Sequence, residues 1–127
     1  MALRLTIDSN DIRPIYRQVA DGIKALIAKG QLPPGSALPP VRQLAADLGV
    51  NMNTIAGAYN ELQAEGLLTV RHGSGAVVSS QRTSVGRSDL RRTIRTTLTE
   101  LVLAGLPRAE IMHMVDEELR ALLKGAK

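Results

Sequence analysis

Apolar residues recur along this chain at two different spacings, and the change from one to the other lays out its elements. Ile15, Val19, Ile23, Leu26 and Ile27 stand three or four positions apart, the repeat of one helical face, and predict a helix with Pro14 at its first position. It runs to about Lys29, and Gly30 ends it. Val41, Leu44, Ala45 and Leu48 repeat the spacing while Arg42, Gln43 and Asp47 fall on the other side, so a second helix spans 41–48. Gly49 closes it, because glycine adopts the left-handed conformation of a helix end at little steric cost. Asn51 suits the N-cap of a third helix, whose stripe is Ile55, Ala58, Tyr59 and Leu62 and whose end is Gly66.

The pattern then shortens to that of strands. Residues 67–71 and 76–80 are short strand-like runs around His72-Gly73-Ser74-Gly75, a turn sequence that calls for positive φ. Near the start, Leu3, Leu5 and Ile7 alternate as a short strand or an extended arm, and residues 8 to 13 read as a turn. Pro33-Pro34-Gly35-Ser36 must turn, and Ala37-Leu38 can add a short strand beside the hairpin. Tyr16, an aromatic at a helix start beside an apolar stripe, belongs either to the core, the favoured reading, or at a phosphate.

Residues 81–87 are rich in Ser, Thr, Gly and Arg and show no period, which marks a linker. Beyond it Ser88 can cap a helix bearing Leu90, Ile94, Leu98, Leu101 and Val102, ended by Gly105. Pro107 opens another with Ile111, Met112, Val115, Leu119 and Leu122, reaching nearly to Lys124. Two amphipathic helices of roughly 17 residues cannot bury both stripes alone, so these residues are expected to pair with the same element of a second chain. The expected architecture is α+β: a winged helix-turn-helix over 1–80, made of three helices and a β-hairpin wing, a linker over 81–87, and a two-helix dimerisation region over 88–127.

Two short helices joined by a Gly-containing turn and followed by a hairpin form the layout that inserts a recognition helix, N-terminus first, into the major groove. Free backbone amides and the helix dipole there favour phosphate. Met52, Asn53, Thr54 and Ala56 begin the front surface of that helix. Asn53 can pair bidentately with adenine, Thr54 can hydrogen-bond or touch a thymine methyl, and Met52 offers apolar contact. Taken alone these are ordinary helix-start residues; the helix pair and the wing give them meaning. In the wing, Gly73 and Gly75 let the backbone approach a phosphate, and Arg71 and His72 reach the sugar-phosphate chain or the minor groove. The Gly-x-Gly is no nucleotide fingerprint, since it lacks a third glycine and a following helix.

The run Leu38-Pro39-Pro40-Val41-Arg42-Gln43-Leu44-Ala45, continued by Leu48-Gly49-Val50-Asn51-Met52-Asn53-Thr54, Ala58-Tyr59, Leu62, Glu65-Gly66-Leu67 and Gly73-Ser74-Gly75, resembles the GntR family of bacterial transcription regulators. Pro14-Ile15-Tyr16-Arg17-Gln18 and Gly30-Gln31-Leu32-Pro33-Pro34-Gly35 fit it too, and Asn-x-Asn-Thr before Ala-Tyr, with the very short tail, is similar to its YtrA subfamily. The resemblance implies that Arg42 contacts DNA, with Asn51, Asn53, Thr54, His72 and Gly73 near it. It also implies a homodimeric repressor on an inverted-repeat operator, of an operon such as that of an ABC transporter. Two departures stand out. Pro40 occupies a position usually held by a small hydroxyl residue, so a capping or phosphate bond is lost, and no basic residue stands at Ala56 or Gly57. A glycine inside a helix costs about 1 kcal/mol relative to alanine. Gly57 therefore points either to close packing or to a close approach of DNA.

Composition narrows the chemistry. With 44% hydrophobic residues the chain can bury a core, but its only aromatics are Tyr16 and Tyr59, which leaves no base-stacking platform for single strands. There is no cysteine, hence no disulfide or thiolate zinc site. No signal peptide or membrane-length apolar run is present, so a cytoplasmic protein without membrane contact is expected. His113, Asp116 and Glu117 have helical spacing compatible with metal ligands, but a charged surface is the better reading, and no metal or other cofactor is expected. No nucleophile elbow or phosphate loop accompanies the two histidines, so an enzyme is not expected. By length the tail is too small for a closed ligand pocket, and any effector is unknown.

Net charge is +4, but residues 38–80 carry two basic and three acidic groups. The cations flank this head: Arg13, Arg17 and Lys24 before it, and Arg82, Arg87, Arg91, Arg92 and Arg95 after it. The DNA footprint then includes the first helix and the linker, or the arginines are simply a solvated linker and helix face. The weakly acidic head favours a rival reading, a winged-helix protein-protein adaptor without operator binding.

Overall fold

The computed structural model describes residues 3, 5–71, 75–80 and 85–123, and of Arg71 the backbone alone. The chain divides into two compact units, Met1–Thr83 and Ser84–Lys127.

In the first unit three helices, α1 (Ile15–Ala28), α2 (Val41–Leu48) and α3 (Met52–Ala64), precede a hairpin of β1 (Leu68–Arg71) and β2 (Gly75–Val78). Helix α3 is the hub, packed against both α1 and α2 and leading into β1. Val19, Ala20 and Ile23 of α1, Leu44 and Ala45 of α2, and Ile55, Ala58, Tyr59 and Leu62 of α3 meet in a core closed by Leu32, Leu38, Leu68, Ala76 and Val78. Burial of these side chains, roughly 1.5–3 kcal/mol for each valine, leucine or isoleucine when complete, holds three short helices that would be marginal alone.

Helices α1 and α2 begin alike, each after a proline in extended conformation, Pro14 at φ −55°, ψ 151° and Pro40 at φ −57°, ψ 150°. Pro14 is thus the N-cap and not the first helical residue, because its ψ is that of extended chain. Gly49 ends α2 in the left-handed region at φ 70°, ψ 34°, and Val50 N–H returns to the Ala45 carbonyl at 3.0 Å. The first turn of α1 overhangs the core, so Ile15 and Tyr16 stay exposed, at 42% and 38%, and Tyr16 is not a core residue.

Instead the buried polar side chain is Gln18, which accepts from Asp8 N–H at 2.9 Å and donates to the carbonyls of Asp8 and Arg13 at 3.2 Å. It ties down the segment before α1. Leu3, Leu5 and Ile7 form an arm, not a strand, and pack on the core. Gly22 makes room for it: a Cβ there would meet Leu5 Cδ2 at 2.8 Å.

The hairpin is antiparallel, with Leu68 opposite Val78 and Arg71 opposite Gly75. Gly75, expected in the turn, is the first residue of β2 and carries φ 74°. Each strand is shorter than the sequence run by a residue or more at an end. Ala37 bridges Val77, and Leu38 N–H reaches the Ala76 carbonyl at 2.9 Å, so the segment before α2 adds a minimal third strand.

The second unit consists of α4 (Arg87–Leu103) and α5 (Arg108–Leu123), joined by a turn in which Gly105 has φ 87°. Gly86, not Ser88, is the N-cap of α4: it is extended at φ −73°, ψ 157°, and its carbonyl accepts from Leu90 N–H at 3.1 Å. The two helices do not pack along their lengths. Ile111 is buried and Leu98, Leu101 and Leu122 half-buried, whereas Leu90, Ile94, Val102, Met112, Val115 and Leu119 are exposed, Ile94 and Val102 to about three fifths. Ile94, Leu98 and Val102 floor a groove along α4, with Arg91 and Arg95 at its edge.

Candidate nucleic-acid interface

Helix α3 starts on Asn51, which is extended at φ −68°, ψ 141°. Its side-chain Oδ1 accepts the Asn53 N–H at 2.7 Å, and its carbonyl accepts the Thr54 N–H at 3.0 Å. That leaves Met52 N–H as the first-turn amide without an acceptor among the described residues, at the positive end of the helix dipole. The cap uses the oxygen of the Asn51 carboxamide and leaves its NH2 to donate outward. Met52 and Asn53 are exposed, and Thr54 is half-buried at the flank.

The four buried residues of α3 fix which way the rest of it points. At 100° per residue, the side opposite Ile55, Ala58, Tyr59 and Leu62 carries Asn53, Gly57, Asn60 and Ala64, bordered by Ala56 on one shoulder and Glu61 on the other. No charged side chain lies at its centre, and the acid on its border, Glu61, is paired with Arg17. Asn60 was not among the sequence-derived candidates, although the same wheel drawn from the apolar stripe places it on this face.

Arg42, second residue of α2, is exposed and has no carboxylate partner among the described residues. Pro40 gives α2 no side-chain cap, and its carbonyl takes the Leu44 N–H at 3.0 Å. The amides of Val41, Arg42 and Gln43 therefore lack acceptors among the described residues. A guanidinium beside free helix-start amides is a chemistry suited to a phosphate oxygen.

Three cations expected to widen the footprint are committed elsewhere. Arg13 pairs with Asp11 at 2.7 Å and Asp21 at 2.6 Å, Arg17 with Glu61 at 2.6 Å, and Lys24 with Glu65 at 2.7 Å. The Arg13 side chain, and then its backbone N–H, hold the Asp11 carboxyl below its ordinary value by hydrogen bonding. Arg17 also lies over the Tyr16 ring, 5.4 Å from its centroid. Glu61 and Glu65, two of the three acids of the head, are thus paired with cations of α1, along the flank of α3 next to Gly57.

In the wing, Gly75 is exposed. The Arg71 side chain, His72 and Gly73 lie outside the described residues. In the second unit His113 stands 3.5 Å from Glu117, and Asp116 is held by Arg120 at 3.0 Å. Among the described residues no three metal-binding side chains converge. Among the described residues no helix is long and apolar enough to cross a membrane.

Comparison with known proteins places this geometry. The family model described as bacterial regulatory proteins, gntR family, matches residues 15–78, a span from the first residue of α1 to the last of β2. The chain is 33% identical over 127 residues to the HTH-type transcriptional repressor YtrA of Bacillus subtilis, covering 97% of each. A transcriptional antiterminator from Listeria monocytogenes superposes with a TM-score of 0.85 at 28% identity, covering 94% of this chain and 92% of that one. The DNA-binding domain of AraR, solved in complex with operator ORX1, superposes with a TM-score of 0.55 at 28% identity, over 62% of this chain and 99% of that one. The chain also matches larger regulators, of which it spans less than a third. It belongs to the GntR family of bacterial regulatory proteins, in the YtrA subfamily: a winged-helix, DNA-binding transcription regulator and not an enzyme.

Proposed function

We propose that the chain is a homodimeric repressor that binds a double-stranded, inverted-repeat operator, one half-site per copy, and blocks a promoter, such as that of an ABC transporter operon. The observation that carries this reading is the amide-bearing outer face of α3, whose bordering acid is paired with Arg17 and which begins at a capped N-terminus while its reverse face is locked in the core. Asn53 and Thr54 read base edges, Met52 adds apolar contact, and Asn51 donates to a phosphate. Arg42, the free amides of α2, and the wing residues Arg71, His72, Gly73 and Gly75 hold the backbone. Leu90, Ile94, Leu98, Leu101 and Val102 of α4, with Ile111, Val115, Leu119 and Leu122 of α5, form the contact between copies. Two recognition helices about 34 Å apart then meet successive turns of one duplex face. The relative named as a repressor and the neighbour solved with an operator support this reading.

The adaptor reading drew its strength from the acidic head. Pairing of Glu61 and Glu65 with α1 removes that motive.

The test is an electrophoretic shift on the upstream region of the protein's own gene, repeated over a salt series. Affinity should fall steeply with salt, Arg42→Ala should weaken binding to all sequences, and Asn53→Ala should relax the preference at one base position. Absence of any sequence-preferring, salt-dependent shift sinks the reading.

A further inference from the structure

Gly57 lies in the interior of α3, where glycine is less stable than alanine because it loses more backbone freedom on folding. Three circumstances ordinarily require a glycine, and none operates within this chain. The residue is helical and absent from the positive-φ glycines. A Cβ built on it meets no atom within 4 Å, in contrast to Gly22, where Leu5 stands at 2.8 Å. Gly57 is also exposed, so it shapes no core. Of the two explanations its sequence position allows, close packing inside the fold is therefore removed.

Its neighbours on the open side of the helix are Asn53, four residues before, and Asn60, three residues after. Both are exposed, and the carboxamides of both lack hydrogen-bond partners among the described residues. Positions i, i+4 and i+7 form one line along a helix, and the two carboxamides sit about 10 Å apart along its axis at 1.5 Å per residue.

We propose that Gly57 is the point at which the major-groove floor approaches the α3 backbone most closely, and that this approach lets Asn60 read a second base pair, an adenine, in the same half-site as Asn53. The inference rests on α3 being the base-reading element. A side chain at 57 would stand between the two carboxamides and hold the helix off the base edges. With hydrogen there, the axis sinks by about the thickness of a methyl group, and the short Asn60 side chain comes within reach of adenine N6 and N7. The face, with its bordering Glu61 held by Arg17, then reads through amides where a longer basic side chain would reach from further away.

The experiment uses the full chain. Duplexes selected from a random pool define the preferred site, and fluorescence anisotropy then measures affinity for it and for single-base variants, alongside thermal melts. Gly57→Ala should raise Tm while weakening binding to the selected duplex about ten-fold or more. Asn60→Ala should leave Tm unchanged and cut discrimination for one A·T pair about ten-fold, at a position different from that lost in Asn53→Ala. A Gly57→Ala protein that is more stable and binds as tightly as the parent overturns this proposal alone. So does one that melts lower, since the glycine would then serve the fold, and so does an Asn60→Ala protein with unchanged base preference. A parent protein that selects no sequence overturns the base-reading role of α3 together with this inference.

Discussion

Arg17 of α1 holds Glu61 of α3 at 2.6 Å across 44 positions of sequence. With Lys24 and Glu65 at 2.7 Å it clamps α3 along one flank and neutralises two acids of the head, Glu61 beside Gly57 at the border of the outer face. Partly exposed pairs of this kind add little to stability, because water screens them. The double substitution Glu61→Gln, Glu65→Gln should therefore change urea stability little. It raises net charge by two, so the salt-sensitive, sequence-independent component of DNA affinity should increase, measured by anisotropy on a random duplex.

Tyr59 donates its hydroxyl to the Pro39 carbonyl at 2.7 Å and so ties α3 to the residues just before α2. Tyr59→Phe should cost about 1 kcal/mol in a denaturant titration. Burial pushes the Tyr59 phenol up to about 12, above its ordinary value of 10.0. A group raised on folding contributes stability that is present below its unfolded value and lost as pH climbs through the folded one. The parent should lose stability between about pH 10 and 12 more steeply than Tyr59→Phe, as melts at stepped pH would show.

Gln18 supplies three hydrogen bonds to the segment before α1 from a buried position. Replacing it with leucine keeps the volume but leaves the Asp8 amide and the Arg13 carbonyl unpaired, at about 1–3 kcal/mol, while the Asp8 carbonyl keeps the Asp11 N–H at 3.1 Å. Amide exchange at Asp8 should accelerate first, with a fall in Tm.

The exposed apolar stripes of α4 and α5 provide the handle on assembly. Ile94→Glu with Leu119→Glu should give a monomer by sedimentation while the first unit keeps its melting temperature. Operator affinity should drop about 100-fold or more, because two half-sites are no longer engaged together. An unchanged dimer would place the contact between copies elsewhere.

Where local rules governed, the sequence was legible. The span of α2 follows from four apolar residues and a left-handed glycine, and the start of α3 from an asparagine cap, features set within a turn or two of chain. Boundaries went astray where two local signals competed: Gly86 outdid Ser88 as the start of α4, and the positive φ of Gly75 was accommodated inside the strand. Tyr16 lay on the right side of α1, but one turn beyond the core. The paired cations were beyond reach for another reason: a lone charge in sequence carries no sign of a partner 44 residues away. Gln18 escaped as well, because a polar residue next to an apolar stripe reads as its edge and not as a buried anchor.

The chain has two tyrosines, no tryptophan and no phenylalanine, and the structure puts one phenol under the recognition helix and the other in solvent. Its near-ultraviolet absorbance and emission hence come from two chromophores in opposite surroundings. A spectral change on DNA addition or heating, compared with Tyr16→Leu, would follow the seating of α3 alone. The molecule thus carries a built-in optical reporter on the helix proposed to meet the groove, and no label is needed to watch it.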